Sequence, residues 1–238
     1  MKTLGVIGGL GPMATAYFME LVTKMTKAGC DQEHVQMLVY SQPTIPDRTA
    51  YILKKTPNSP VPEMVRIGKI LQQNAQVIAV PCITAHYFWE DLSREVDAQV
   101  LNALVGTAEH LKANGIRKVG IMATDGTKAT GLLQRTLENA GMEVLFPDNE
   151  CQKGVMDLIY RDIKANRPPD MELFRQISRK LHTDGAEVII LGCTELSLIK
   201  KSHEIGPGFI DALEVLAQLA VRACGAPLDP AYECLITK

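Results

Sequence analysis

An excess of charge of either sign is missing from this chain: 25 Lys and Arg stand against 27 Asp and Glu, a formal net charge of −2. The basic residues are dispersed, so neither a nucleic acid nor a membrane surface is the expected partner. Any bound anion has to be met by a few placed cations. Long apolar runs are also missing, and no segment approaches the length of a membrane span. The first apolar stretch, Leu4-Gly-Val-Ile-Gly8, reaches glycines too soon for a signal peptide, so a cytoplasmic location is expected. Aromatic residues make up only 5%, with a single tryptophan, which leaves the core to aliphatic side chains. Among Cys30, Cys82, Cys151, Cys193, Cys224 and Cys234 no Cys-x-x-Cys spacing occurs. That pattern argues against a zinc site or a redox pair, and the cysteines read as free thiols with no metal.

What the chain does have is a strand–helix alternation. With 46% hydrophobic residues over 238 positions, it can bury the core of one large domain or two ordinary ones. Apolar, β-branched runs predict strands over 3–8, 35–40, 77–80, 117–123, 143–146, 187–191 and 209–211. Helical periodicity predicts helices over 13–27, from about 60 to 71, and over 86–96, 101–113, 131–140, 152–164, 171–183 and 212–224. Residues 41–48 read as a loop stiffened by Pro43 and Pro46, and 124–127 as a polar glycine turn.

The pattern restarts midway. Gly5-Val-Ile-Gly8 matches Gly120-Ile-Met-Ala123 at an offset of 115, and Cys82 matches Cys193 at an offset of 111. This points to an internal duplication. The expected fold class is α/β: two similar three-layer lobes with parallel sheets, related by a pseudo-twofold axis. The division expected is 1–98 with 211–238 in the first lobe and 99–210 in the second.

Two look-alike strands carry the candidate chemistry. Val77-Ile-Ala-Val-Pro-Cys82-Ile-Thr84 and Val188-Ile-Ile-Leu-Gly-Cys193-Thr194-Glu195 each end on a cysteine with a threonine close by. The carboxyl end of a parallel strand is where α/β sheets place ligands. A thiol there becomes a usable base or nucleophile beside a helix N-terminus or a cation; a buried cysteine can equally be a small hydrophobe. Cys82-Ile-Thr-Ala-His86-Tyr-Phe lacks the arginine of a phosphatase loop, and His86 reads either as a thiol partner or as a structural helix residue.

Gly9-x-Gly11-x-x-Ala14 fits a dinucleotide fingerprint formally, but Tyr40-Ser41-Gln42 supplies no acidic residue at the end of the second strand. A turn whose Gly9-Leu10 backbone approaches a small anion is the better reading. Arg48 beside Asp47 is either a surface ion pair or a guanidinium fork held for a carboxylate. Lys164 is by default a solvated cation at a helix end. Glu195 either orients Cys193 or sits in the first turn of the next helix. Spacing alone leaves these pairs of readings open.

Taken together, Gly8-Gly-Leu-Gly-Pro-Met-Ala-Thr15, Ile45-Pro-Asp-Arg48-Thr-Ala-Tyr51, Pro81-Cys-Ile-Thr-Ala-His86, Ala123-Thr-Asp-Gly-Thr127 and Gly192-Cys-Thr-Glu195 resemble the cofactor-independent aspartate/glutamate racemase family. The resemblance covers nearly the whole chain and is strongest toward aspartate racemases. It implies a site in the cleft between the lobes, a homodimer, a small acidic amino acid as substrate, and no cofactor. Cys82 and Cys193 would be the two catalytic thiols. Arg48 and Lys164 would select the acidic side chain. Thr84, Thr124, Gly126, Thr127 and Thr194 would hold the α-carboxylate or its surroundings.

The family usually has asparagine where this chain has Ile83, and isoleucine cannot make the amide's bonds to polar α-groups. Two alternatives to racemisation follow. One is a related cysteine-dependent diacid isomerase or decarboxylase; the other is a catalytically weak dicarboxylate binder.

Overall fold

The computed structural model describes residues 1–238. Eight strands form two sheets. In the first, β1 (Leu4–Gly8), β2 (Met37–Ser41), β3 (Val77–Ala79) and β4 (Gln99–Val100) lie in the order β2-β1-β3-β4. In the second, β5 (Lys118–Met122), β6 (Glu143–Leu145), β7 (Val188–Leu191) and β8 (Phe209–Asp211) lie in the order β6-β5-β7-β8. Every pairing is parallel, as strands joined by crossover helices require. The same order in both sheets is the duplication that the sequence offsets predict. No helix is long and apolar enough to cross a membrane.

Several elements differ from expectation, each for a local reason. Strand β4 is only two residues long, too short to leave an alternation, yet it pairs with Val77 and Ile78. The first sheet therefore runs past residue 98. The polar turn expected over 124–127 is instead the start of helix Asp125–Thr130, because Thr124 Oγ1 accepts the Thr127 N–H at 3.1 Å and caps it. Asp47 does the same for a short helix, Arg48–Ile52, accepting the Ala50 N–H at 2.7 Å. The helix expected over 152–164 begins at Asn149 and widens into a π-helical stretch, Asp157–Ile163, just before Lys164.

The two halves share one core. Leu4, Val6 and Phe18 from the first join Val119, Ile121 and Ile190 from the second in a single buried cluster. Helix Ala212–Ala223 closes it, packing against both Pro12–Met25 and Ala103–Ala113. A second meeting point lies where helix Asp125–Thr130 approaches helix Arg48–Ile52. A Cβ at Gly126 would sit 2.9 Å from Thr49 Oγ1 and 3.0 Å from Thr49 Cα, so only glycine permits that approach.

Asp211, at the end of β8, accepts from Ser197 Oγ at 2.7 Å and caps the last long helix through the Leu213 N–H at 2.9 Å. Its Oδ2 is buried without a partner. Burial, and then the charge of Glu214, push this carboxyl up from 3.8 to about 7. The folded state thus holds the proton longer than the unfolded chain, so stability falls as pH rises from 3.8 toward 7 and levels off above. Asp211→Asn keeps the Oδ1 acceptor and removes this titration. Denaturant unfolding should show the variant gaining on the wild type from pH 5 to pH 8; a constant difference between them would contradict the assignment.

Candidate active site

Cys82 and Cys193 sit just past the carboxyl ends of β3 and β7, in extended backbone, at the N-cap positions of the segments that follow. Their surroundings are not alike. The Cys193 thiol donates to Glu195 Oε2 at 2.9 Å. Burial, reinforced by the Glu195 carboxylate, pushes that thiol well above its ordinary pKa, against the opposing pull of Lys164. Cys82 instead lies within electrostatic reach of the Arg48 guanidinium. Each sulfur lies within electrostatic reach of the other and of Lys164.

Arg48 is 7% exposed, which rules out the surface ion-pair reading. Its Nη1 donates to the carbonyls of Ile45 (3.1 Å) and Pro46 (3.0 Å), and its Nη2 to that of Leu10 (3.1 Å). Nε is buried and has no partner. Burial works against its charge, but the Cys82 sulfur, Asp47 and Glu195 raise its pKa on balance. A planar cation fixed by three carbonyls, with N–H capacity to spare, is suited to a carboxylate.

Lys164 is the second cation. Its Nζ is 3.5 Å from Glu195 Oε1 and 4.9 Å from the centre of the Tyr160 ring. Burial lowers its proton affinity, but the charges of Glu195 and Cys193 outweigh it and keep the ammonium protonated. A cleft of about 640 Å³ is walled by Gly9, Gly11, Pro12 and Arg48 from the first half and by Lys164 and Glu195 from the second. Neither cysteine lines it; Cys193 donates to Glu195, which does, and Cys82 lies within electrostatic reach of Arg48, which also does.

The hydroxyls of Thr84, Thr124 and Thr127 form a buried triangle with sides of 3.0, 3.0 and 3.2 Å that joins the two halves. Thr194 is buried, its hydroxyl 3.4 Å from Glu195 Oε2. Gly126 belongs to the contact with Thr49 described above.

The glycine turn makes contacts of its own beside the cleft. Gly9 is at φ +91° because a Cβ would strike the Gln42 backbone at 2.4 Å, but its N–H donates to Thr15 Oγ1 at 2.9 Å. That donor is therefore already occupied. Leu10 contributes its carbonyl to Arg48 and its side chain to the core. Ile83 lies in the main apolar core, away from the cleft wall.

His86 is not a thiol partner either. Its Nδ1 is 3.0 Å from the Cys82 carbonyl oxygen, and burial depresses it to about 4, so the neutral ring donates to that backbone oxygen. Sequence reasoning missed Tyr160, whose hydroxyl donates to Asp47 Oδ2 at 3.4 Å across the halves. Its position four residues before Lys164, one helical turn, was the available signal.

Glu195→Gln is expected to lower the pH at which Cys193 ionises, because it removes a like charge and frees Lys164 to act on the sulfur. Thiolate ultraviolet absorbance, read against a Cys193→Ser reference, measures this. An unchanged titration would show that burial alone sets it.

The description Asp/Glu/hydantoin racemase belongs to a family model that matches residues 7–220. The chain is 24% identical over 224 residues to the broad specificity amino-acid racemase RacX of Bacillus subtilis, covering 92% of this chain and 96% of that one. The structure of the Picrophilus torridus aspartate racemase superposes with a TM-score of 0.85 at 30% identity, over 99% of both chains. A Francisella tularensis glutamate racemase shares the fold, with a TM-score of 0.67 at 15% identity over 93% of this chain and 80% of that one. Two duplicated parallel sheets, strand-end cysteines and matching relatives along the full length converge on one assignment: the chain belongs to the Asp/Glu/hydantoin racemase family and is an isomerase.

Proposed function

We propose that the chain racemises an acidic amino acid, with aspartate favoured, by a two-base mechanism that needs no cofactor. The observation that carries this reading is the opposite charge set beside two equivalent cysteines, Arg48 at Cys82 and Glu195 at Cys193. In the direction described here Cys193, whose S–H donates to Glu195, is assigned as the acid and Cys82 as the base.

Cys82 as thiolate removes the α-proton, and Cys193 delivers its proton to the opposite face of the planar carbanion. The α-carbon is thereby inverted, and the two sulfurs exchange protonation states. The reverse reaction starts from that exchanged state. The α-proton is weakly acidic, so the negative charge that develops on the α-carboxylate has to be stabilised. The Thr84, Thr124 and Thr127 hydroxyls, in exchange for the bonds they make to one another, are the donors assigned to it, and Arg48 and Lys164 bind the side-chain carboxylate. Aspartate is favoured because the likeness to the Picrophilus aspartate racemase spans both chains at 30% identity. A cytoplasmic homodimer completes this reading.

One observation supports a second reading. Ile83 packs in the core where the resemblance implies an amide, which leaves the α-ammonium one polar partner fewer. A dicarboxylate binder without turnover is consistent with that loss. Incubation of L- and D-aspartate, then of L- and D-glutamate, in heavy water separates the two. Racemisation predicts deuterium at Cα and equal final optical rotation from either enantiomer. Binding without exchange would reject the enzyme.

A further inference from the structure

The duplication builds the substrate cleft's counterpart as well. A crevice of about 510 Å³ opens where helix Asp125–Thr130 meets the segment after β6, and Leu53 of the first half forms part of its wall. It corresponds to the substrate cleft at two elements, the helix after the first strand and the segment after the second. Met13 and Ala14 at the cleft match Lys128 and Ala129 at the crevice, at the same offset of 115 that relates Gly5 to Gly120. Asp47 and Asp148 each cap the helix after the second strand of their half, accepting the N–H three residues on at 2.7 and 2.8 Å. The residues just past those caps, Arg48 and Asn149, each line the pocket of their own half.

We propose that this second crevice is a binding site for an acidic amino acid, separate from the substrate cleft. Lys128 and Lys153 line it, and neither is in an ion pair; Lys128 donates to the Pro147 carbonyl at 3.4 Å and lies 5.5 Å from the centre of the Phe146 ring. They supply two cations for two carboxylates. Gln152 also lines it and is 7% exposed. Its Nε2 donates to the Ala123 carbonyl at 3.0 Å and to Asp125 Oδ1 at 2.8 Å, which fixes the amide's orientation. Its Oε1 is then a buried acceptor with no partner. That oxygen and the Asp125 carboxylate are the groups for an ammonium. Two cations with a carboxylate nearby is also the charge pattern of the cleft, where Arg48 and Lys164 accompany Glu195.

An occupant would sit on a helix already tied to the site. Thr127 bonds Thr84 two residues past Cys82, and Gly126 touches Thr49 next to Arg48. The ligand class follows from the crevice's own groups; that it coincides with the substrate class rests on the racemase reading above.

Equilibrium dialysis of the full chain with isotopically labelled aspartate tests this. The wild type should bind two molecules per chain. Lys153→Glu and Lys128→Glu, both at partly or fully exposed positions, should weaken one of the two by about tenfold or more, the loss of a hydrogen bond to a charged group, and leave the initial racemisation rate at low substrate unchanged. Arg48→Ala should remove the other. One aspartate per wild-type chain, or two bound with equal affinity in both lysine variants, would overturn the proposal. Two bound without racemisation in the wild type would support this site and reject the activity.

Discussion

Replacing Cys193 by alanine is expected to lower racemisation by about 10²- to 10⁴-fold in both directions, the usual contribution of a positioned acid or base. Inversion needs a proton taken from one face and returned to the other, so neither thiol can serve alone. The two single variants should nevertheless differ in what they keep. Cys193→Ala leaves Cys82 beside Arg48 and should still exchange the α-proton of one enantiomer with solvent, without inverting it. Cys82→Ala should favour the other enantiomer, and more weakly, because the remaining thiol is raised by burial and by Glu195. Proton NMR in heavy water reads both. If either variant racemised at the wild-type rate, the two-base mechanism would be wrong.

The second large effect is expected at Arg48. Arg48→Lys preserves charge but not shape. One ammonium cannot reach the Ile45, Pro46 and Leu10 carbonyls together and also present a flat edge to a carboxylate. Buried carbonyls left without donors cost about 1–3 kcal/mol each, so a stability loss of roughly 2–4 kcal/mol is expected. The loss of paired hydrogen bonds to substrate should lower kcat/KM by about 10²-fold, mostly through KM, if the binding is shared by ground and transition states. Thermal unfolding and steady-state kinetics measure the two parts separately. A variant of native stability and near-native KM would show that Lys164 alone selects the side chain.

The parts of the site written in local pattern were legible in the sequence. The cysteines just past β3 and β7 could be picked out because a parallel strand buried on both faces is a continuous apolar run, and its end is conspicuous. The cysteines' different partners were not legible. Glu195 lies two residues from Cys193 and Arg48 lies far along the chain from Cys82, and only folding decides which side chain faces which sulfur. That the Gly9 N–H is taken by the Thr15 hydroxyl, six residues on, was not legible either, because the glycine pattern says nothing of where the donor points. Strand β4 escaped because two residues carry no period. Tyr160 escaped because its partner, Asp47, is in the other half.

Helix Ala212–Ala223 has a consequence for synthesis. It fills a groove between Pro12–Met25 and Ala103–Ala113, and the segment after it returns to the first half, where Lys27 N–H donates to the Pro227 carbonyl and Asp229 N–H to that of Met25. Nascent chains generally acquire domains in order from the N-terminus. Here the wall that covers the first half, helix Ala212–Ala223, follows the second half in the chain. Until that helix is made, Phe18, Leu21 and Leu104 are expected to stay partly uncovered. The two halves share one core and one closing helix, so truncation before residue 212 should give an aggregating fragment rather than a smaller folded domain.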